Sequence, residues 1–154
     1  MYKQNLDKLR DMTEKLNLED DVLKKTKDIL EKALSIGTDG FWDWHVGSGK
    51  NGSEDYEYLS PRFKEQLGYE DYELANVPSS WQKLMNPDDL KVMFNEVTKH
   101  FESKGTYSFS CVGRYNHKSG NEVIILCRGS VVEWDNDLPK RMIGTHTDIS
   151  KYSK

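Results

Sequence analysis

Several things are scarce in this sequence. No stretch approaches the roughly 18 consecutive apolar residues that a membrane span needs, and Met1 is not followed by a secretory apolar core. The sequence therefore reads as cytoplasmic, with no membrane partner. The two cysteines, Cys111 and Cys127, cannot make a disulfide framework, and no Cys/His spacing fits a zinc site, so no metal ligands are assigned. Basic residues are too few for a nucleic-acid partner: 22 Lys and Arg stand against 26 Asp and Glu, a net charge of −4. Catalytic patterns are missing as well. Gly47-Ser48-Gly49-Lys50 lacks the spacing of a phosphate-cradling loop and reads as a turn. Asp88-Asp89 is explained by helix-start electrostatics and Glu19-Asp20-Asp21 is a solvated charge run, so no catalytic residue is named.

What is present suits a folded domain. The 154 residues include four Trp, eight Tyr and five Phe, which argues against disorder. A chain of this length buries about two thirds of its unfolded surface, enough for one domain with an appendage.

The appendage is residues 1–36. Leu9, Leu16, Leu23 and Leu30 recur at intervals of seven, and Leu6, Met12, Val22, Ile29, Ala33 and Ile36 widen them into an apolar stripe. Asn17-Leu18-Glu19-Asp20-Asp21 resembles a capping interruption, which predicts two helices or one kinked helix, closed by Gly37. Such a stripe packs on its own domain or pairs with a second copy, and seven-residue spacing suits pairing.

Residues 37–150 alternate strands and helices. Gly40 to Ser60 reads as a hairpin, with large groups alternating in Phe41-Trp42-Asp43-Trp44-His45-Val46 and again in Tyr56-Glu57-Tyr58-Leu59. Pro61 opens a short helix to Gly68, and Pro87-Asp88-Asp89 opens a longer one with Leu90, Met93, Phe94, Val97 and Phe101 as its buried stripe. Tyr107–Asn116 and Asn121–Trp134 flank Lys118-Ser119-Gly120, a three-residue hairpin loop, and Pro139 introduces a last strand, Arg141–Ile149. The fold class is α+β, with a five-stranded antiparallel sheet.

This order and its punctuation resemble the PAS sensor family over about residues 33–150. The resemblance rests on Gly40-Phe41-Trp42-Asp43-Trp44, on Tyr58-Leu59-Ser60-Pro61-Arg62-Phe63-Lys64 with Leu67-Gly68-Tyr69, and on Asn86-Pro87-Asp88-Asp89. The closing stretch, the PAC motif, is matched by Arg114, Lys118-Ser119-Gly120, Arg128-Gly129, Pro139, Arg141, Gly144 and Asp148-Ile149-Ser150. Asn86 replaces the usual His, Gly113 an aromatic and Ile124 a Trp; Gly113, with the small Cys111 and Cys127, would leave room in the pocket. The resemblance implies the PAS fold, with short helices and one long helix on one sheet face. It also implies a non-catalytic signal-transduction module regulating an output such as a histidine kinase or diguanylate cyclase in a longer protein. The segment before the first strand would carry dimerisation, and residues 151–154 would begin a linker.

The hairpin loop sets a register. If His117 faces Asn121, then Phe109 pairs with Gly129, Cys111 with Cys127, Gly113 with Ile125 and Tyr115 with Val123. These residues would face the cavity that the resemblance implies, while Val112, Ile124 and Leu126 form an apolar outer face needing cover. Candidate pocket residues are Phe63, Trp81, Met93, Phe94, Val97, Phe109, Cys111, Ile125 and Cys127. Candidate dimerisation residues are Leu9, Leu16, Leu23, Leu30, Ile124 and Leu126, in a homodimer. No cofactor is required. Haem would need an axial histidine, for which His100 is the candidate although its position at the stripe's edge reads as a surface histidine. Flavin without a covalent adduct would need stacking on Trp42, Trp44 or Trp81, since neither cysteine has the Asn-Cys-Arg-Phe context of a light-oxygen-voltage photoreceptor. Two functions follow: a sensor of a small ligand, or an interaction-only module with a filled core. A small-molecule enzyme of the ketosteroid-isomerase type lacks a convincing carboxylate or histidine in the cavity.

Overall fold

The computed structural model describes residues 2–37 and 39–152, without the side chains of residues 2–6, 8, 9, 27, 31, 34 and 35. The chain divides into two compact units, Met1–Gly37 and Thr38–Lys154.

The first unit is a single helix, α1 (Tyr2–Ile36), so the expected break at residues 17–21 does not occur. Asn17, Glu19, Asp20 and Asp21 are exposed, so their polar groups reach water and need not compete with the backbone ladder. No Gly or Pro interrupts the run. The last turn closes through the Gly37 N–H, which donates to Ala33 O at 3.1 Å. Leu16, Leu23 and Leu30 are exposed; the side chain of Leu9 lies outside the described residues.

The second unit is built on β1 (Gly40–His45), β2 (Glu57–Leu59), β3 (Phe109–Asn116), β4 (Glu122–Asp135) and β5 (Leu138–Asp148). They form one antiparallel sheet in the order β2-β1-β5-β4-β3, with the termini of the unit's chain meeting where β5 pairs with β1. Between β2 and β3 run α2 (Pro61–Gln66), a 3-10 turn at Asp71–Glu73, α3 (Ser79–Gln82) and α4 (Pro87–Glu102). The expected α+β architecture is the observed one.

Local chemistry explains the helix starts. The Ser60 hydroxyl accepts from Phe63 N–H at 3.2 Å, and Pro61 occupies the first turn of α2. Asn86 caps α4 through Oδ1, which accepts from the N–H groups of Asp88 and Asp89 at 3.0 and 3.3 Å. Asp89 does more than complement the helix dipole. Its carboxylate takes both Nε and Nη2 of Arg114 at 2.8 Å, joining the start of α4 to β3.

The hairpin register is as the loop predicts: Phe109 pairs with Gly129, Cys111 with Cys127, Gly113 with Ile125 and Tyr115 with Val123. Strict alternation buries Phe109, Cys111, Gly113 and Tyr115 and exposes Ser110, Val112, Arg114 and Asn116. On β4, Ile125 and Cys127 are buried, while Ile124 and Leu126 on the opposite face are half-buried.

Two expectations about the core need correction. His100 is not a surface histidine but 1 % exposed, whereas Phe94 of the expected buried stripe is 48 % exposed. The α4 side facing the sheet runs from Met93 to His100, two turns apart, and Phe94 lies at its margin. The second correction concerns Gly113, whose missing side chain adds no room: the Met85 methyl occupies the place where a Cβ would stand.

Candidate functional site

A cavity of about 140 Å³ lies between the sheet and the helices α3 and α4. Its walls come from β1 (Trp42, Trp44), β2 (Glu57), α2 (Phe63), α3 and its entrance (Pro78, Trp81, Gln82) and α4 (Met93, Phe94, Val97). Inward positions of β3 to β5 complete it with Phe109, Tyr115, Cys127, Met142 and His146. The sequence-based candidates Phe63, Trp81, Met93, Phe94, Val97, Phe109 and Cys127 are thus brought together. Cys111 and Ile125 are buried in the core but do not reach the cavity wall.

The wall is mostly aromatic and aliphatic, and it carries a buried carboxyl, Glu57, and a buried imidazole, His146. Glu57 follows from the alternation of β2: with Leu59 in the core, the residue two positions earlier shares its face. Its Oε2 accepts the indole N–H of Trp81 at 2.9 Å. Burial raises the carboxyl to a pKa of about 7, with the nearby Asp55 charge acting in the same direction and the Trp81 bond opposing. Glu57 therefore exchanges its proton near neutrality.

Asp55 carries the other indole. Its Oδ2 accepts from Trp44 Nε1 and Gly47 N, and Oδ1 accepts from Gly49 N, each at 2.9 Å. Burial acts upward on its pKa, but these donors together hold the carboxyl below its ordinary value. Two carboxylates thus fix two tryptophans of the wall, and Trp44 sits directly across the β1–β2 ladder from Glu57.

His146 lies on β5 with its ring stacked on Phe63 at 4.0 Å and edge-on to Tyr115 at 5.3 Å. Nδ1 is 3.1 Å from Gln66 Oε1, which assigns the proton to Nδ1 and leaves a lone pair on Nε2. Among the described residues Nε2 has no partner. Burial pushes the imidazole down to about 3, so it is neutral at physiological pH. Among the described residues no cationic side chain lines the cavity.

His100, the candidate haem ligand, is committed elsewhere. Nδ1 faces Tyr107 O, and Nε2 accepts the Val131 N–H at 3.1 Å, so the ring ties α4 to the loop before β3 and to β4. It is not on the cavity wall. Trp42, Trp44 and Trp81, singled out for stacking, all are. Among the described residues no group of three His, Cys, Asp or Glu side chains could hold a metal ion. Burial raises the thiols of Cys111 and Cys127, so neither is a ready nucleophile. Glu57, His146 and Met142 were missed as wall residues. The signal for them was the period-two alternation of β2 and β5, overshadowed by the polarity of Glu57 and His146.

Comparison with known proteins agrees with this architecture. A family model described as PAS fold matches residues 56–146. A sensory box histidine kinase/response regulator from Burkholderia thailandensis superposes with a TM-score of 0.65 at 28% identity, covering 80% of this chain and 86% of that one. The PAS domain of a protein from Colwellia psychrerythraea gives 0.62 at 19% identity, over 84% of this chain and 98% of that one. The N-terminal domain of a diguanylate cyclase with PAS/PAC sensor from Marinobacter aquaeolei gives 0.60 at 22% identity, over 75% and 99%. No curated protein matches. Among the described residues no helix is long and apolar enough to cross a membrane. With a family match spanning more than half of its residues and an antiparallel sheet closing on a cavity, the chain belongs to the PAS fold family.

Proposed function

We propose that this chain is a sensory module whose cavity takes a small ligand, regulating an output domain such as a histidine kinase or diguanylate cyclase. The observation that carries the reading is the cavity itself: about 140 Å³, aromatic-walled, with a buried carboxyl and a buried imidazole nitrogen that lacks a partner among the described residues. A filled core has no use for such groups, because an unsatisfied buried polar atom costs about 1–3 kcal/mol. A space of this volume matches the roughly 150 Å³ cavities that accept a single aromatic ring. Native mass spectrometry of the protein as purified tests the reading. A bound small molecule of defined mass is expected. Bare protein that also gains no thermal stability from a panel of single-ring compounds would overturn it.

The reading of α1 as a dimerisation helix is supported by a separate observation. Leu16, Leu23 and Leu30, seven apart, are 58%, 67% and 57% exposed on the helix. Apolar side chains at that interval are what a helix buries against a second copy.

A further inference from the structure

From the wall chemistry we infer that the cavity selects a small organic amine, its cationic nitrogen held by the Glu57 carboxylate between the indoles of Trp44 and Trp81. This rests on the reading of the cavity as a ligand site and adds the class of ligand.

Glu57 is 5% exposed and lies on the cavity wall, and Trp81 is its side chain's hydrogen-bond donor among the described residues. That bond engages Oε2 and leaves Oε1 for a guest. A carboxylate in such surroundings is stabilised by a counter-charge, and none of the lining residues is Lys or Arg. The missing cation is therefore one the ligand would bring. The same lack of positive charge disfavours a carboxylate or phosphate guest.

The aromatic walls act in the same direction. A cation over an indole face gains from the ring quadrupole, most of all where water is excluded. Trp44 and Trp81 each donate their N–H to a carboxylate, Asp55 and Glu57, which makes the rings more electron-rich. His146 Nε2 adds a lone pair and no proton. An ammonium on a body the size of one aromatic ring meets all of these features.

The test is a titration of the full chain, followed by tryptophan fluorescence and calorimetry, with three guests of one shape: benzylamine, benzyl alcohol and benzoate. At pH 8 benzylamine should bind about tenfold or more tighter than benzyl alcohol, with benzoate the weakest. Glu57→Gln keeps an acceptor for Trp81 and should abolish the advantage of benzylamine over benzyl alcohol. The benzylamine affinity of the unmodified chain should also fall about tenfold from pH 8 to pH 6 as Glu57 takes up its proton. The groups facing Glu57 do not add to that profile. Burial keeps Tyr115 and Cys127 protonated and His146 neutral, Asp55 stays ionised, and Trp44 and Trp81 do not titrate. If benzyl alcohol binds as tightly as benzylamine, or the amine advantage survives Glu57→Gln, the inference is wrong while the ligand cavity stands. If none of the three guests binds, the inference is wrong, and the native mass of the purified protein with the single-ring panel decides whether the ligand cavity falls with it. Should Glu57→Gln fail to fold, the Glu57 carboxyl carbon followed by NMR decides: benzylamine must lower its titration midpoint, and an unmoved midpoint overturns the inference.

Discussion

Trp42 and Gly144 are direct partners across the β1–β5 ladder, and the indole of Trp42 occupies the space that a side chain at 144 would need. Gly129, the partner of Gly144 on β4, lies under the same ring: a Cβ there would stand 2.5 Å from Trp42 Cη2. Two glycines side by side on neighbouring strands let one large aromatic ring lie close to the sheet at the cavity floor. Gly144→Ala drives a methyl into both the ring and the backbone oxygen of Arg128. Its expected cost is about 3 kcal/mol, the upper end for overpacking, because neither neighbour is the flexible end of a side chain. Gly113→Ala meets only the Met85 methyl, which can swing away, and should cost about 1 kcal/mol or less. Urea unfolding of the two variants checks the order; equal losses would contradict it.

Glu57 gives stability a pH dependence of known sign. Its pKa rises from 4.5 in the unfolded chain to about 7 in the folded one, so the native state binds the proton more tightly. Its contribution is fully present below pH 4.5 and is lost as pH rises through about 7. Glu57→Gln removes that loss. The variant should match the unmodified chain near pH 4 and exceed it above pH 7, by on the order of a few kcal/mol. Thermal unfolding at pH 4.5, 6 and 8 measures the difference, which must grow with pH.

His146 has the opposite sign. Burial takes it from 6.5 to about 3, so its neutral form contributes stability above pH 6.5 that is lost as pH falls toward 3. His146→Phe keeps a ring against Phe63 and Tyr115. It should lose less stability than the unmodified chain between pH 6.5 and pH 4. A parallel loss in both proteins would mean that His146 takes up a proton in the folded state.

The β3–β4 hairpin was legible because a three-residue loop with Gly120 leaves one register, and alternation then sorts every residue between the two faces. Glu57 and His146 were not legible as wall residues by composition. A carboxyl and an imidazole in a strand look outward-facing until Leu59 and Met142 fix which side is buried. The α1 interruption failed for a different reason: capping residues stop a helix only when the chain beyond has somewhere better to go. His100 was misplaced by one step of helical phase. Such a shift is invisible without the backbone N–H of Val131 and the carbonyl of Tyr107 that hold the ring.

Cys111 and Cys127 face each other across the β3–β4 ladder, both free and both buried. The thiolate is what attacks a thiol reagent, and burial raises the pKa of both groups, Cys127 more strongly than Cys111. Native protein at pH 8 should react with Ellman's reagent at least about a hundredfold more slowly than urea-unfolded protein, with Cys111 modified before Cys127. Peptide mapping after partial labelling with a maleimide gives the order. Fast labelling of Cys127 in native protein would contradict a closed core at the centre of the sheet.

The α1 stripe yields a prediction that the fold of the second unit does not touch. Leu16, Leu23 and Leu30 are exposed along one helix, so replacing them with Ser removes apolar area without opening a described core. Each buried leucine contributes about 1.5–3 kcal/mol where it meets a partner, so three replacements in two copies should convert a dimer to a monomer at micromolar concentration. Sedimentation equilibrium reads the mass, and near-ultraviolet circular dichroism of the tryptophans, all four of which lie in the second unit, reports whether that unit stays intact. A halved mass with an unchanged tryptophan spectrum is expected. An unchanged mass would assign pairing to another surface and leave the heptad of leucines without that role.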